Sequence, residues 1–137
     1  MQDLFHPIMD QRDVCGISPL GLAHVGDAVY EILVRTRLLT GGLTTGQHLH
    51  QDTIALVCAP AQAKAAERIL PLLSDEEEGY YRRGRNATVR NIPKNATHAQ
   101  YSRATGLEAL FGALYLLGKQ DRLLELFAVA MEDEHAT

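Results

Sequence analysis

Three carboxylate side chains lie in two segments of the sequence that are otherwise strongly apolar. Asp27 and Glu31 are four residues apart in LGLAHVGDAVYEILVRTRLL, and this spacing places both on one face of a helix. Glu108 lies in LEALFGALYLL, where an ionised carboxylate is costly unless it is paired or bound to a cation. Two partners therefore remain open for Glu108: an arginine such as Arg35, or a hard cation shared with Asp27 through carboxylate oxygens.

Two glycines accompany these acids. Gly26 directly precedes Asp27, and Gly112 follows Glu108 by four residues. A glycine in a helix interior costs about 0.5–1 kcal/mol relative to alanine, so it often marks the close approach of another backbone or of a ligand. The sequence therefore predicts that two helices cross at these glycines with Asp27 and Glu108 facing each other.

The elements that carry these residues are predicted to be helices. The apolar residues follow a helical period throughout, without convincing two-residue alternation, which predicts an all-α fold. Ser18 and Pro19 are typical of a helix start, and Gly41 and Gly42 end this first long helix. Five further helices are predicted at about residues 44–59, 61–73, 75–85, 98–117 and 122–133. Ser74 and Glu77 are typical of a capping box at the start of helix 75–85, and Thr97 or Asn95 is expected to cap helix 98–117. With 137 residues and no linker, the chain 1–137 is expected to form one domain, with residues 1–17 as an N-terminal extension.

Positive charge is concentrated in one part of an acidic chain. Residues 79–107 carry six arginines and lysines and no acid, so their charge is +6, whereas the whole chain carries −4. A basic segment on an acidic body is typical of a surface that binds a polyanion. A solvated arginine-rich loop explains the same pattern equally well. The candidates for contacts with such a polyanion are Arg82, Arg83, Arg85, Lys94, Asn86 and Asn95.

The cysteines and the apolar runs exclude several classes of protein. Cys15 and Cys58 form no CxxC motif and have no histidines at zinc-finger spacing, so we interpret them as reduced thiols of a cytoplasmic protein. No uncharged apolar run approaches the ~20 residues that a membrane span requires. A membrane role is therefore not expected.

Three sequence blocks resemble a known family of nucleases. LGLAHVGDAVYEILVR resembles the signature helix of the ribonuclease III family, and YSRATGLEALFGALYLL is similar to its second acidic motif. RRGRNA followed by PKN resembles the Mini-III branch of that family. The blocks occur in the family's order and span about residues 18–127, and nothing resembling a double-stranded-RNA-binding domain follows them.

The resemblance implies an all-helical homodimer that cleaves double-stranded RNA with Mg²⁺, typically in maturation of large-subunit ribosomal RNA. Asp27 and Glu108 match the family's metal ligands, which would make them the catalytic residues. Glu31 matches a frequent acid of the signature helix, and we expect a supporting or structural role for it. Ala23 and Thr105 stand where full-length enzymes carry a glutamate and an aspartate, and both replacements resemble those of the Mini-III branch. Thr105 is therefore expected beside the site.

Two other functions remain open at this stage. The first is a helical RNA-binding or ribosome-associated protein that has lost catalysis, for which Ala23 and Thr105 would be signs of decay. The second is a structural helical module whose acids form salt bridges, which would leave the basic segment unexplained.

Overall fold

The structure is a computed structural model that describes residues 1–87, 92 and 94–132. This part of the chain contains helices and no strand, which confirms the predicted all-α class. The helices are α1 (Gln11–Cys15), α2 (Pro19–Thr40), α3 (Leu49–Val57), α4 (Ala59–Ile69), α5 (Asp75–Arg85), α6 (His98–Leu116) and α7 (Gln120–Ala130), and a short 3₁₀ turn occupies Leu70–Leu72. None of the described helices combines the length and the apolar character that a membrane span demands.

Helix α6 is the centre of the fold, with α2, α4, α5 and α7 packed around it. Its buried residues include Leu107, Leu110 and Phe111, which are fully enclosed. Tyr30 of α2 meets Phe111 edge to face, with the ring centroids 5.2 Å apart. Fully buried leucine or phenylalanine side chains each contribute about 1.5–3 kcal/mol to stability. The core that surrounds α6 therefore fixes the positions of the neighbouring helices.

Local signals in the sequence set several helix ends correctly. The Ser18 hydroxyl accepts a hydrogen bond from the Gly21 backbone N–H at the start of α2. Ser74 and Glu77 form the predicted capping box of α5, because each side chain accepts from the backbone N–H of the other residue. Of the two predicted candidates, Thr97 and Asn95, it is Thr97 that caps α6, because its hydroxyl accepts from the Gln100 backbone N–H.

Other boundaries differ from the prediction. Helix α3 begins at Leu49 rather than near residue 44, because residues 46–48 form a turn and the Thr44 hydroxyl donates to Asp52 across it. Helix α4 includes Pro60, which occupies the first turn, where its missing N–H costs nothing. Helix α1 was not predicted within the N-terminal extension.

The N-terminal extension lies against the end of α6 and the start of α7. The Met9 backbone N–H donates to the Leu116 carbonyl at 2.8 Å. The Gln120 side-chain amide donates to the Phe5 carbonyl at 2.8 Å, and the Tyr115 hydroxyl donates to the Leu4 carbonyl. These bonds give residues 4–9 a defined place on the helical body.

Candidate functional site

Helices α2 and α6 cross with their backbones in contact at two glycines. A Cβ atom added at Gly26 would lie 1.6 Å from the Glu108 carbonyl oxygen, and one at Gly112 would lie 2.0 Å from the Leu22 carbonyl oxygen. Real Cβ atoms do not approach other atoms this closely, so both positions require glycine. The crossing predicted from the two glycines is therefore confirmed.

The crossing brings Asp27 and Glu108 together. Their carboxyl groups are within hydrogen-bonding distance of each other, with Asp27 exposed and Glu108 partly buried. Burial raises the pKa of Glu108 to about 9, and the hydrogen bond and negative charge of Asp27 act in the same direction. At neutral pH without a cation, the pair therefore holds a proton that a divalent ion would displace.

The arginine considered as a partner for Glu108 is used elsewhere. The Arg35 guanidinium forms an ion pair with Glu31, one turn earlier on α2, at 2.7 Å. This pair lies at the surface, where such contacts contribute little to stability. Glu31 therefore has a structural partner of its own, and Arg35 does not neutralise the pair formed by Asp27 and Glu108.

The sequence interpretation missed Gln62 on α4. Its side chain is only 2% exposed and forms a hydrogen bond with the Glu108 carboxyl group, which lowers the pKa of Glu108 against the larger effects of burial and Asp27. One signal could have identified it: Gln62 occupies the same helical stripe as Ala65, Ala66 and Ile69, all of which are buried. A long polar residue at a core position needs a hydrogen-bonding partner.

Thr105 lies one turn before Glu108 on α6 and is buried. Its hydroxyl donates to the Tyr101 carbonyl of its own helix at 3.0 Å. Ala23, on α2, is also buried and carries no polar side-chain atom. The acids found in full-length enzymes are thus replaced here by side chains that supply no carboxylate.

The donor set suits a hard cation. Two carboxylates converge at the crossing, and within residues 1–87, 92 and 94–132 there is no cluster of three or more His, Cys, Asp or Glu side chains. Mg²⁺ keeps several waters and commonly binds through one or two carboxylates and a substrate phosphate, so two protein ligands suffice. Asp27 and Glu108 therefore fit such an ion, and a bound cation would offset the repulsion between the two carboxylates.

The basic residues of α5 differ in what they contact. Arg82 is exposed and lies 3.5 Å from Glu78, one turn earlier. Arg85 is exposed and stacks over the Tyr81 ring at 5.9 Å. Arg83 instead donates to the Ile17 carbonyl at 3.2 Å, which ties α5 to the N-terminal segment. Of these arginines, Arg82 and Arg85 are the more available to a polyanion.

The remaining basic and amide candidates follow α5. Asn86 ends that helix, and Lys94 and Asn95 form an exposed turn before α6. Arg103, counted in the basic segment, forms an ion pair with Glu67 at 2.6 Å, so its charge is already matched. Arg90 lies outside the described residues.

Comparisons with known proteins give one family. The family model of the ribonuclease III domain matches residues 20–119. A Mini-ribonuclease 3 of Symbiobacterium thermophilum is 43% identical over 116 residues, covering 85% of this chain and 89% of the relative. A Mini-ribonuclease 3 of Gloeobacter violaceus is 42% identical over 127 residues, covering 93% and 92%.

A solved structure shares the fold. A crystal structure of a protein from Fusobacterium nucleatum superposes with a TM-score of 0.78 at 30% identity, covering 87% of this chain and 95% of that one. The chain therefore belongs to the ribonuclease III family, whose members are metal-dependent endoribonucleases that act on double-stranded RNA, and within it to the Mini-ribonuclease 3 group.

Proposed function

We propose that this endoribonuclease cleaves double-stranded RNA in the cytoplasm with Mg²⁺ held by Asp27 and Glu108, acting as a homodimer on precursors of large-subunit ribosomal RNA. The observation that carries the proposal is the meeting of these two carboxyl groups at a helix crossing that only glycine permits. The likeness to Mini-ribonuclease 3 proteins supports the substrate class.

At the proposed site, the carboxylates would bind the ion and the two helices would hold the carboxylates in position. When bound, Mg²⁺ would activate a water molecule and neutralise charge that develops on the phosphate oxygens during phosphodiester hydrolysis. Asp27 and Glu108 would supply the ligand oxygens, and the proton that they share must leave before both can do so. The contact between Gly26 and Gly112 keeps the two ligands at a fixed separation, so the site is formed before the substrate arrives.

The exposed basic residues would bind the RNA backbone. Proteins recognise duplex RNA mainly through its shape, phosphates and 2′-hydroxyl groups, because its major groove is too narrow to read. Arg82, Arg85 and Lys94 are exposed and would contact phosphates, and Asn86 and Asn95 would donate further hydrogen bonds. Binding that depends on such contacts weakens as salt rises.

An apolar groove supports the proposed dimer. It is lined by Val25, Val29 and Ile32 of α2, by Leu124 of α7 and by Phe5 of the N-terminal segment, and Ile32 and Leu124 are 55% and 51% exposed. We propose a second copy of this chain as its occupant, because a two-fold dimer presents one acid pair to each strand of an RNA duplex. Helix α2 lines the groove and also carries Asp27, so docking of a second copy would place two acid pairs in one assembly.

Cleavage of a duplex RNA tests the proposed site. The native protein with Mg²⁺ should cut the duplex, whereas Asp27→Asn should bind it but leave it intact. Glu31→Gln is the matched control, because this acid lies on the same helix but pairs with Arg35. The control should keep most of the activity.

Two results would contradict the proposal. The first is cleavage by Asp27→Asn at the native rate, and the second is cleavage by the native protein in excess chelator. Duplex binding without any cleavage by the native protein would instead favour the catalytically impaired RNA-binding protein.

A further inference from the structure

Gln62 is an unusual residue for its position in α4. Its side chain is 2% exposed, and the nearby residues Ala63, Ala65 and Ala66 are buried and small. Burial of an amide without a hydrogen bond is unfavourable, so a residue that serves only to fill space here would be apolar. The bond between Gln62 and the Glu108 carboxyl group explains the polar residue.

The bond joins a third helix to the acid pair. Asp27 approaches Glu108 from α2, and Gln62 approaches it from α4. When both carboxylates are ionised they repel each other, and a glutamate side chain has rotatable bonds through which it can turn away. An amide N–H that donates to Glu108 opposes this rotation.

A neutral donor is the type of group that such a task requires. An arginine or lysine at position 62 would also hold Glu108, but its charge would compete with a cation for the carboxylate. The amide holds the carboxylate in place and leaves its negative charge available. A single donor can also occupy one oxygen atom while the other stays available as a ligand.

We propose that Gln62 is a positioning residue that holds the Glu108 carboxylate toward Asp27 and so raises the affinity of the pair for a divalent cation. This inference rests on the proposed metal site at Asp27 and Glu108. Groups that orient metal ligands typically change metal affinity by about 10–100-fold when they are lost. The same range is expected for Gln62.

Direct metal binding separates this role from a purely structural one. Gln62→Met keeps the length of the side chain and removes the donor, and Gln51→Met, on the exposed surface of α3, is the matched control. Mn²⁺ serves as the probe, because it accepts oxygen ligands and its free form is measured by electron paramagnetic resonance. Gln62→Met should raise the Kd for Mn²⁺ about 10–100-fold, and Gln51→Met should leave it unchanged.

The dependence of cleavage on Mg²⁺ provides a second readout. If Gln62 acts on metal affinity, Gln62→Met should lose most of its activity at low Mg²⁺ and recover most of it at saturating Mg²⁺. A defect in folding or packing would not be restored by the metal in this way. Thermal unfolding in chelator measures how much native structure each variant retains.

The outcomes distinguish this inference from the proposed function. A folded Gln62→Met protein that binds Mn²⁺ with native affinity overturns the role of Gln62, provided that Asp27→Asn has lost binding. If Asp27→Asn also binds Mn²⁺ normally, the metal site itself is wrong. Should Gln62→Met fail to fold, Gln62→Asn decides: it keeps the amide but shortens its reach, so a raised Kd supports the role and a native Kd refutes it.

Discussion

Substitution of Gly26 by alanine should separate the two central helices. The added Cβ would lie 1.6 Å from the Glu108 carbonyl oxygen, and real Cβ contacts are essentially never below 3.0 Å, so α2 and α6 must move apart. The obstructing atom belongs to a helix backbone and cannot rotate away. Overpacking in a core commonly costs about 1–3 kcal/mol, and here we expect about 3 kcal/mol or more, because the shift also loosens contacts along α6.

Urea unfolding followed by circular dichroism measures this loss. For a chain of this size, about 3 kcal/mol corresponds to a decrease in Tm of roughly 10 °C. Gly79→Ala is the matched control, because Gly79 lies inside α5 and a Cβ there meets no atom within 4 Å. This control should gain about 0.5–1 kcal/mol from the better helix propensity of alanine.

The same substitution should also affect the acid pair. The clash at Gly26 involves the backbone of Glu108 itself, so moving the helices apart also moves this carboxylate away from Asp27. We therefore expect weaker Mn²⁺ binding under conditions in which the variant is still folded. The reasoning is refuted if the free energies of unfolding of Gly26→Ala and of the native protein differ by less than about 1 kcal/mol.

Three further predictions concern charge and assembly. In metal-free protein, Glu108→Gln should increase the free energy of unfolding by about 1–3 kcal/mol at pH 9 and by little near pH 5. Because the pKa of Glu108 is raised in the folded state, the stability of the native protein falls as pH rises from 4.5 to about 9. Glutamine cannot ionise, so the variant does not lose this stability. Urea denaturation in chelator measures this, and an equal gain at every pH would contradict it. Replacing Arg85 and Lys94 by alanine should weaken duplex RNA binding and reduce its salt slope by about 0.7–0.9 for each lost phosphate contact, whereas an unchanged slope would place the RNA surface elsewhere. Ile32→Asp should convert a dimer to monomers in light scattering, because it introduces a charge into the apolar groove; a dimer of native stability would show that another surface mediates assembly.

Local signals predicted those parts of the fold that depend on local interactions. The start of α2 at Pro19 and the capping box of α5 rest on residues within one turn of each other, so the sequence contains all the information they need. Helix α1 has only five residues, and its one buried side chain, Val14, packs into a core contributed by distant segments. A helix that depends on tertiary contacts is not visible in a local pattern.

Those parts of the site were predictable whose residues are energetically unfavourable in an isolated helix. Gly26 and Gly112 are unfavourable in a helix, and this cost indicated the close crossing that the structure contains. The partner of Glu108 on α4 was not predicted, because the register of three helices decides which polar group reaches it. Arg83 shows the same limit, since its bond to Ile17 depends on how the N-terminal segment folds back.

Helix α6 relates the proposed metal ligands to the proposed RNA-binding residues. It contacts α2 through Gly26 and Gly112, and it contacts α5 through a second close approach, where a Cβ at Gly84 would lie 2.6 Å from the Ala109 Cβ atom. The acid pair is at the first contact, and Arg83 and Arg85 flank Gly84 in the sequence at the second. Because both contacts are between closely packed helices, the distance from the acids to these arginines is fixed by the core rather than by a loop. A duplex RNA bound by α5 would therefore meet the carboxylates at a constant offset, which is what selection of one phosphodiester bond requires in a protein that reads little sequence.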